Sequence, residues 1–229
     1  LGTTLDLGRT KGEVLISPQW VVVDKMMGTI WDGTFTGRIL AQIDDGDALN
    51  GSFVLQDMNL TSIGKSYDKK MEKATVHGAI EFSSKGGNMN SIQAKGEAAL
   101  VHGDLVEIPL FGFLGEALSN YIPGLGHLIN YKISRADCDF SIEKGYVRTS
   151  NFAAQGSNMS LEGGGWIRLS DLQVNSDFKL GLRGLPGFIT SPVFLLAGGL
   201  FQVRGTGPLS NVSWNFAPFS GGKAPVPPA

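Results

Sequence analysis

Cysteine is nearly absent from these 229 residues: Cys138 stands alone, which excludes an intramolecular disulfide framework but leaves the redox compartment open. Charge is also scarce. Asp, Glu, Lys and Arg make up 17% of the chain and the net charge is -2, below the quarter or so usual for soluble domains. Lys and Arg form no basic stripe, so the electrostatic footprint of a nucleic-acid binder is missing. No apolar run approaches the roughly 20 residues that span a bilayer. The chain begins at Leu1 with neither an initiator methionine nor a signal peptide, so it reads as a piece of a longer protein; any export signal or anchor would have been upstream, and its absence here says little about the native compartment.

Recognisable catalytic and metal-binding patterns are missing as well. His77, His102 and His127 have no Cys, His or carboxylate partner at a ligand interval. Asp44-Asp45-Gly46-Asp47 lacks the alternating ligands and distal glutamate of a calcium loop and reads as an acidic hairpin turn. Gly64-Lys65-Ser66 resembles the end of a phosphate-binding loop, but Asn59 occupies the position of the required first glycine, so a surface turn is expected. Arg204-Gly205-Thr206-Gly207-Pro208-Leu209-Ser210 lacks the third glycine of a dinucleotide fingerprint and reads as a turn between strands. Cys138, flanked by Asp137 and Asp139 on an apolar strand face, is expected to be an unreactive core residue. No nucleophile elbow or acid/base carboxylate pair is recognisable. Neither enzyme activity, nor a metal, nor a cofactor is expected.

What the chain does have is glycine, 32 residues, about twice the usual share, and period-two alternation that recurs almost to its end. Phe35, Gly37, Ile39, Ala41 and Ile43 fall on one strand face, with Leu40 the exception on the other. Ala136, Cys138, Phe140 and Ile142 repeat the pattern before a Lys144-Gly145 turn. Phe178, Leu180 and Leu182 do so again, as do Val212, Trp214 and Phe216. Helical spacing is limited to two places. Leu110, Phe113, Leu114, Ala117 and Leu118 follow Pro109 and stop at Pro123-Gly124, and a shorter apolar stretch, which could equally be a buried strand, runs from Ser191 to Leu200. Gly96, Leu100, Asp104 and Leu105 recur at one offset as Gly163, Ile167, Asp171 and Leu172, a weak internal repeat.

The expected fold is mainly β: an antiparallel, curved sheet or groove-like sandwich with one or two short amphipathic helices. One β-rich domain should occupy residues 1–219, followed by a Gly/Pro-rich flexible tail over 220–229. The apolar faces admit two readings, the filling of a closed core or the lining of an open groove for acyl chains, and periodicity alone favours the closed core.

The order of the elements points further. Met27-Gly28-Thr29-Ile30-Trp31-Asp32-Gly33-Thr34-Phe35-Thr36-Gly37 resembles a Gly-punctuated strand pair in the C-terminal region of AsmA-like proteins of Gram-negative bacteria. Gly96 to Leu105 followed by Glu107-Ile108-Pro109-Leu110 looks like that family's strand, turn and helix entry. Gly163-Gly164-Gly165-Trp166 looks like its late strand, and Val203-Arg204-Gly205-Thr206 like its closing turn, although Pro208 is displaced from the family position. The resemblance, covering roughly residues 25–216, implies a periplasmic β groove of the bridge-like lipid-transfer group, anchored to the envelope through a missing N-terminal segment. Its ligand would be phospholipid or another acyl lipid, serving transport or outer-membrane assembly. The candidate lining is Phe35, Ile39, Ile43, Phe140, Ile142, Phe178, Leu180, Leu182, Val212, Trp214 and Phe216, with Leu110, Leu114 and Leu118 closing one end. The competing reading is a structural or adhesive β domain that binds a protein partner through its outer face.

Overall fold

The computed structural model describes residues 9–43, 48–66, 73–86, 89–101, 133–157, 159–182, 200–209, 211–218 and 225–227. Twelve strands account for most of them: β1 (Lys11–Ile16), β2 (Trp20–Ile30), β3 (Gly33–Gln42), β4 (Leu49–Asn59), β5 (Thr75–Ser84), β6 (Gln93–Val101), β7 (Ile133–Glu143), β8 (Tyr146–Gly156), β9 (Met159–Arg168), β10 (Gln173–Leu182), β11 (Leu200–Pro208) and β12 (Ser213–Pro218). Their hydrogen-bonded order is the chain order in one antiparallel sheet that does not close into a barrel. The mainly β expectation therefore holds, as a single sheet rather than a sandwich. The chain divides into two compact units, residues 1–102 with 139–145, and residues 103–138 with 146–229.

In the first unit, β2 and β3 meet at a two-residue turn in which Trp31 and Asp32 both take positive φ, 48° and 60°. That conformation matches the right-handed twist of the flanking strands. Asn59 ends β4 and caps the next turn of chain, its Oδ1 accepting from the Thr61 N–H at 2.9 Å. The result is a short helix, α1 (Leu60–Ser66). It docks over the β2–β3 turn: Ile63 packs on the Ile30, Phe35 and Met58 cluster, and Trp31 Nε1 donates to Ser66 Oγ at 3.1 Å. Gly64-Lys65-Ser66 is thus the end of a capped helix, not the expected surface turn, because its partners lie on β4 and on the hairpin rather than in its own spacing.

The second unit is a meander of β8 to β12, joined by the start of β7. The stretch from Arg204 to Pro208, expected as a turn, instead lies within β11 and pairs with β10 from Arg204↔Asp177 to Pro208↔Gln173. Gly207 sustains the ladder at φ +112°, a conformation that side chains avoid. The Lys144-Gly145 turn stands as expected, with both φ values positive. The helix predicted through Leu110, Leu114 and Leu118, nearly all of the apolar stretch at 191–200, and Asp44 to Asp47 lie outside the described residues. No described helix is long and apolar enough to cross a membrane.

Candidate functional site: an apolar sheet face

Directly opposed residues of an antiparallel pair share a face, so strand register assembles the site. In the first unit, Phe35 stands opposite Gly28 and Leu55, Phe53 opposite Gly37 and Ile80, and Phe82 opposite Gly51 and Ala94. Each ring lies over the glycine of the preceding strand, where a Cβ would come within 3.0 Å of it. Phe140 occupies the same kind of place over Gly96. The rings also touch one another: Phe35 and Phe53 meet edge-to-face at 6.3 Å, and Phe53 and Phe82 stack at 6.2 Å with planes 5° apart. Phe35 is buried, but Phe53, Leu55, Ile80 and Phe82 are only half-buried.

In the second unit the same device recurs, with Trp214 over Gly205. Phe152 and Phe178 flank Gly163 from its two sides, their rings 5.6 Å apart, and Phe178 lies 6.3 Å from Trp214. Here the face is covered: Leu161, Leu180, Phe201 and Val203 all reach 0% exposure.

The second unit's opposite face is polar, whereas the first unit's carries Val22, Leu40 and Val54 among its polar residues. In the second unit Asp177, 6% exposed, accepts from Gln202 Nε2 at 2.7 and 3.0 Å and from Arg204 at 3.0 Å, so its burial is compensated by charge-assisted bonds. Arg168 holds Asp171 through two bonds of 2.8 and 2.7 Å, and the guanidinium lowers the Asp171 carboxyl below its ordinary pKa. In the first unit, His77 Nδ1 accepts from the Asp57 N–H at 3.3 Å where β4 bulges, so this histidine has a structural partner.

The sequence-derived lining divides accordingly. Phe35 and Ile39 share the first unit's apolar face, and Phe140 joins them through Gly96. Ile142 lines an open cleft of about 350 Å³ with Phe82 and Ala94, rimmed by Glu81, Lys95 and Glu143. Ile43 lies one residue beyond the end of β3 and is 54% exposed. Phe178, Leu180, Leu182, Val212 and Trp214 are buried in the second unit, and Phe216 is half-buried opposite Val203. Leu110, Leu114 and Leu118 lie outside the described residues. The lining missed Phe53, Leu55, Ile80 and Phe82, although the alternation Gly51-Phe53-Leu55 and Gly78-Ile80-Phe82 carried the signal.

Among the described residues no three His, Cys, Asp or Glu side chains are grouped to hold a metal. A second cleft, of about 420 Å³ near the β8–β9 hairpin tip, has Arg135, Asp137 and Glu162 in its wall. No protein-family model matches the chain, and no curated protein or solved structure matches it either.

Proposed function

We propose that the chain is a non-enzymatic segment of an AsmA-like, periplasmic envelope protein whose apolar sheet face takes the acyl chains of phospholipid, for transport or outer-membrane assembly. The observation that carries this reading is the first unit's half-exposed face, where Phe53 and Phe82 are stacked flat and the glycines beneath them leave no side chains to interrupt it. Such a face suits a flexible hydrocarbon. Each methylene taken from water contributes about 0.8 kcal/mol, with little need for polar groups.

The test is native mass spectrometry of the purified chain together with titration of a fluorescent fatty acid. Lipid adducts and saturable uptake are expected. Phe82→Glu should weaken uptake at least tenfold, while Thr36→Glu, exposed on the opposite face of β3, should leave it unchanged. A chain that carries no lipid and takes up no fatty acid refutes the reading.

A further inference from the structure

The two ends of the sheet are built differently. β12 ends at Pro218, which has no N–H, and its Trp214 is buried. β1, by contrast, is exposed along its whole length, with Val14 at 57%, Leu15 at 64% and Ile16 at 77%. A register shift between Lys11 and Glu13 interrupts its start, and Ser17-Pro18 turns the chain after Ile16. The regular strip between them carries neither the proline nor the lysine that usually blunts a sheet edge.

Which backbone groups point outward follows from the hairpin. Ser17 N–H donates to the Trp20 carbonyl at 2.9 Å, which makes Ser17 and Trp20 a hydrogen-bonded pair. Bonded and non-bonded pairs alternate along an antiparallel ladder. Ile16↔Val21 and Val14↔Val23 are therefore non-bonded pairs, and the N–H and C=O of Val14 and Ile16 point away from β2. The Ile43 N–H bond to the Gln19 carbonyl, 2.8 Å, fixes the same phase on the other side of β2. Among the described strands none lies beyond β1.

We infer that this edge pairs with the same edge of a second copy of the chain, antiparallel about a two-fold axis through Leu15. Only registers that set Val14 or Ile16 opposite Val14 or Ile16 let the outward groups meet. The one centred on Leu15 sets Val14 against Ile16 twice, giving four main-chain hydrogen bonds. It also sets three apolar residues against three. This matters because Val14, Leu15 and Ile16 are consecutive and so present apolar side chains on both faces, which a strand with one polar face would not match. The edge is self-complementary, as an isologous contact requires. A contact this short falls below the roughly 1,200 Å² of a standard interface, so the dimer is weak and concentration-dependent.

Sedimentation velocity of the 229-residue chain over a concentration series tests this, and a monomer–dimer equilibrium is expected. Ile16→Pro removes an outward N–H without touching the β1–β2 ladder and should weaken the dimer at least tenfold. Leu15→Lys, which asks nothing new of the backbone, should do the same. In a Cys138→Ser background, Leu15→Cys should cross-link when oxidised with diamide. The two Cα atoms of a non-bonded pair lie about 4.5 Å apart, within disulfide reach. Met27→Cys, also exposed but on β2, should not cross-link. The inference is overturned by a chain that stays monomeric throughout, by dimers indifferent to both edge variants, or by equal cross-linking at Leu15 and Met27. It is also overturned by a chain that adds a synthetic β-strand peptide at this edge without associating with itself.

Discussion

The two units follow one packing rule and differ in what it leaves open. In both, an aromatic ring lies over a glycine of the strand before it: Phe53 over Gly37 in the first unit, Trp214 over Gly205 in the second. Yet Phe53 and Leu55 remain half-exposed, whereas Leu161, Leu180, Phe201 and Val203 reach 0%. The strand sequences are alike in kind, so alternation makes a face apolar without deciding whether that face is buried. That distinction separates a surface able to accept a ligand from a packed core.

The comparison breaks first at the leucines. Leu180→Ala should cost about 2–5 kcal/mol because its surroundings cannot relax into the space. Leu55→Ala, half-exposed, should cost about 1 kcal/mol. Urea unfolding followed by circular dichroism measures both, and equal losses would mean that the difference in cover has no energetic weight.

A finer test sets two glycines of the first unit against each other. A Cβ on Gly37 would run into the Phe53 ring and the Ser52 carbonyl, so Gly37→Ala should cost about 1–3 kcal/mol. Gly78 has only the Glu97 carbonyl at 3.2 Å and Leu55 at 3.9 Å, and Gly78→Ala should stay within about 0.5 kcal/mol of wild type. If the ring-over-glycine contact defines the face, only the first change should also reduce fatty-acid uptake.

The smallest effect belongs to the polar side. Hydrogen bonding to Arg168 lowers the Asp171 pKa, so its contribution is present above the ordinary carboxylate range, about 3.9, and is lost as pH falls through the lower folded value. The stability gap between wild type and Asp171→Asn should therefore be small at neutral pH and close on acidification. Both groups are exposed, and salt should shrink the gap further. A gap that widens at low pH would contradict the sign.

Strands whose alternation runs unbroken were legible in the chain: Phe35 to Ala41 in β3, Phe178 to Leu182 in β10, Trp214 and Phe216 in β12. β2, β4 and β8 were harder because bulges change the parity of the face in mid-strand. Val21 and Val23 give way to Met26 and Gly28, Leu55 to Met58, and Thr149 to Phe152. Counted by twos, such strands cross from one face to the other, although register keeps their apolar residues together. α1 was missed for a different reason: its cap on Asn59 and its seat on the Trp31-Asp32 turn are long-range facts that seven residues of local spacing do not carry. The cover over Leu180 likewise has no signature in β10 itself.

The placement of the rings also has a consequence for how the chain acquires its structure. In these ring-over-glycine pairs the glycine comes first in the chain: Gly28 before Phe35, Gly37 before Phe53, Gly51 before Phe82, Gly96 before Phe140 and Gly205 before Trp214. Strands pair with their neighbours in chain order, so no pairing has to wait for a strand made later than the next one. Within a unit, synthesis from the N-terminus can lay each strand against one already made, and each new ring arrives over a glycine that is already in place.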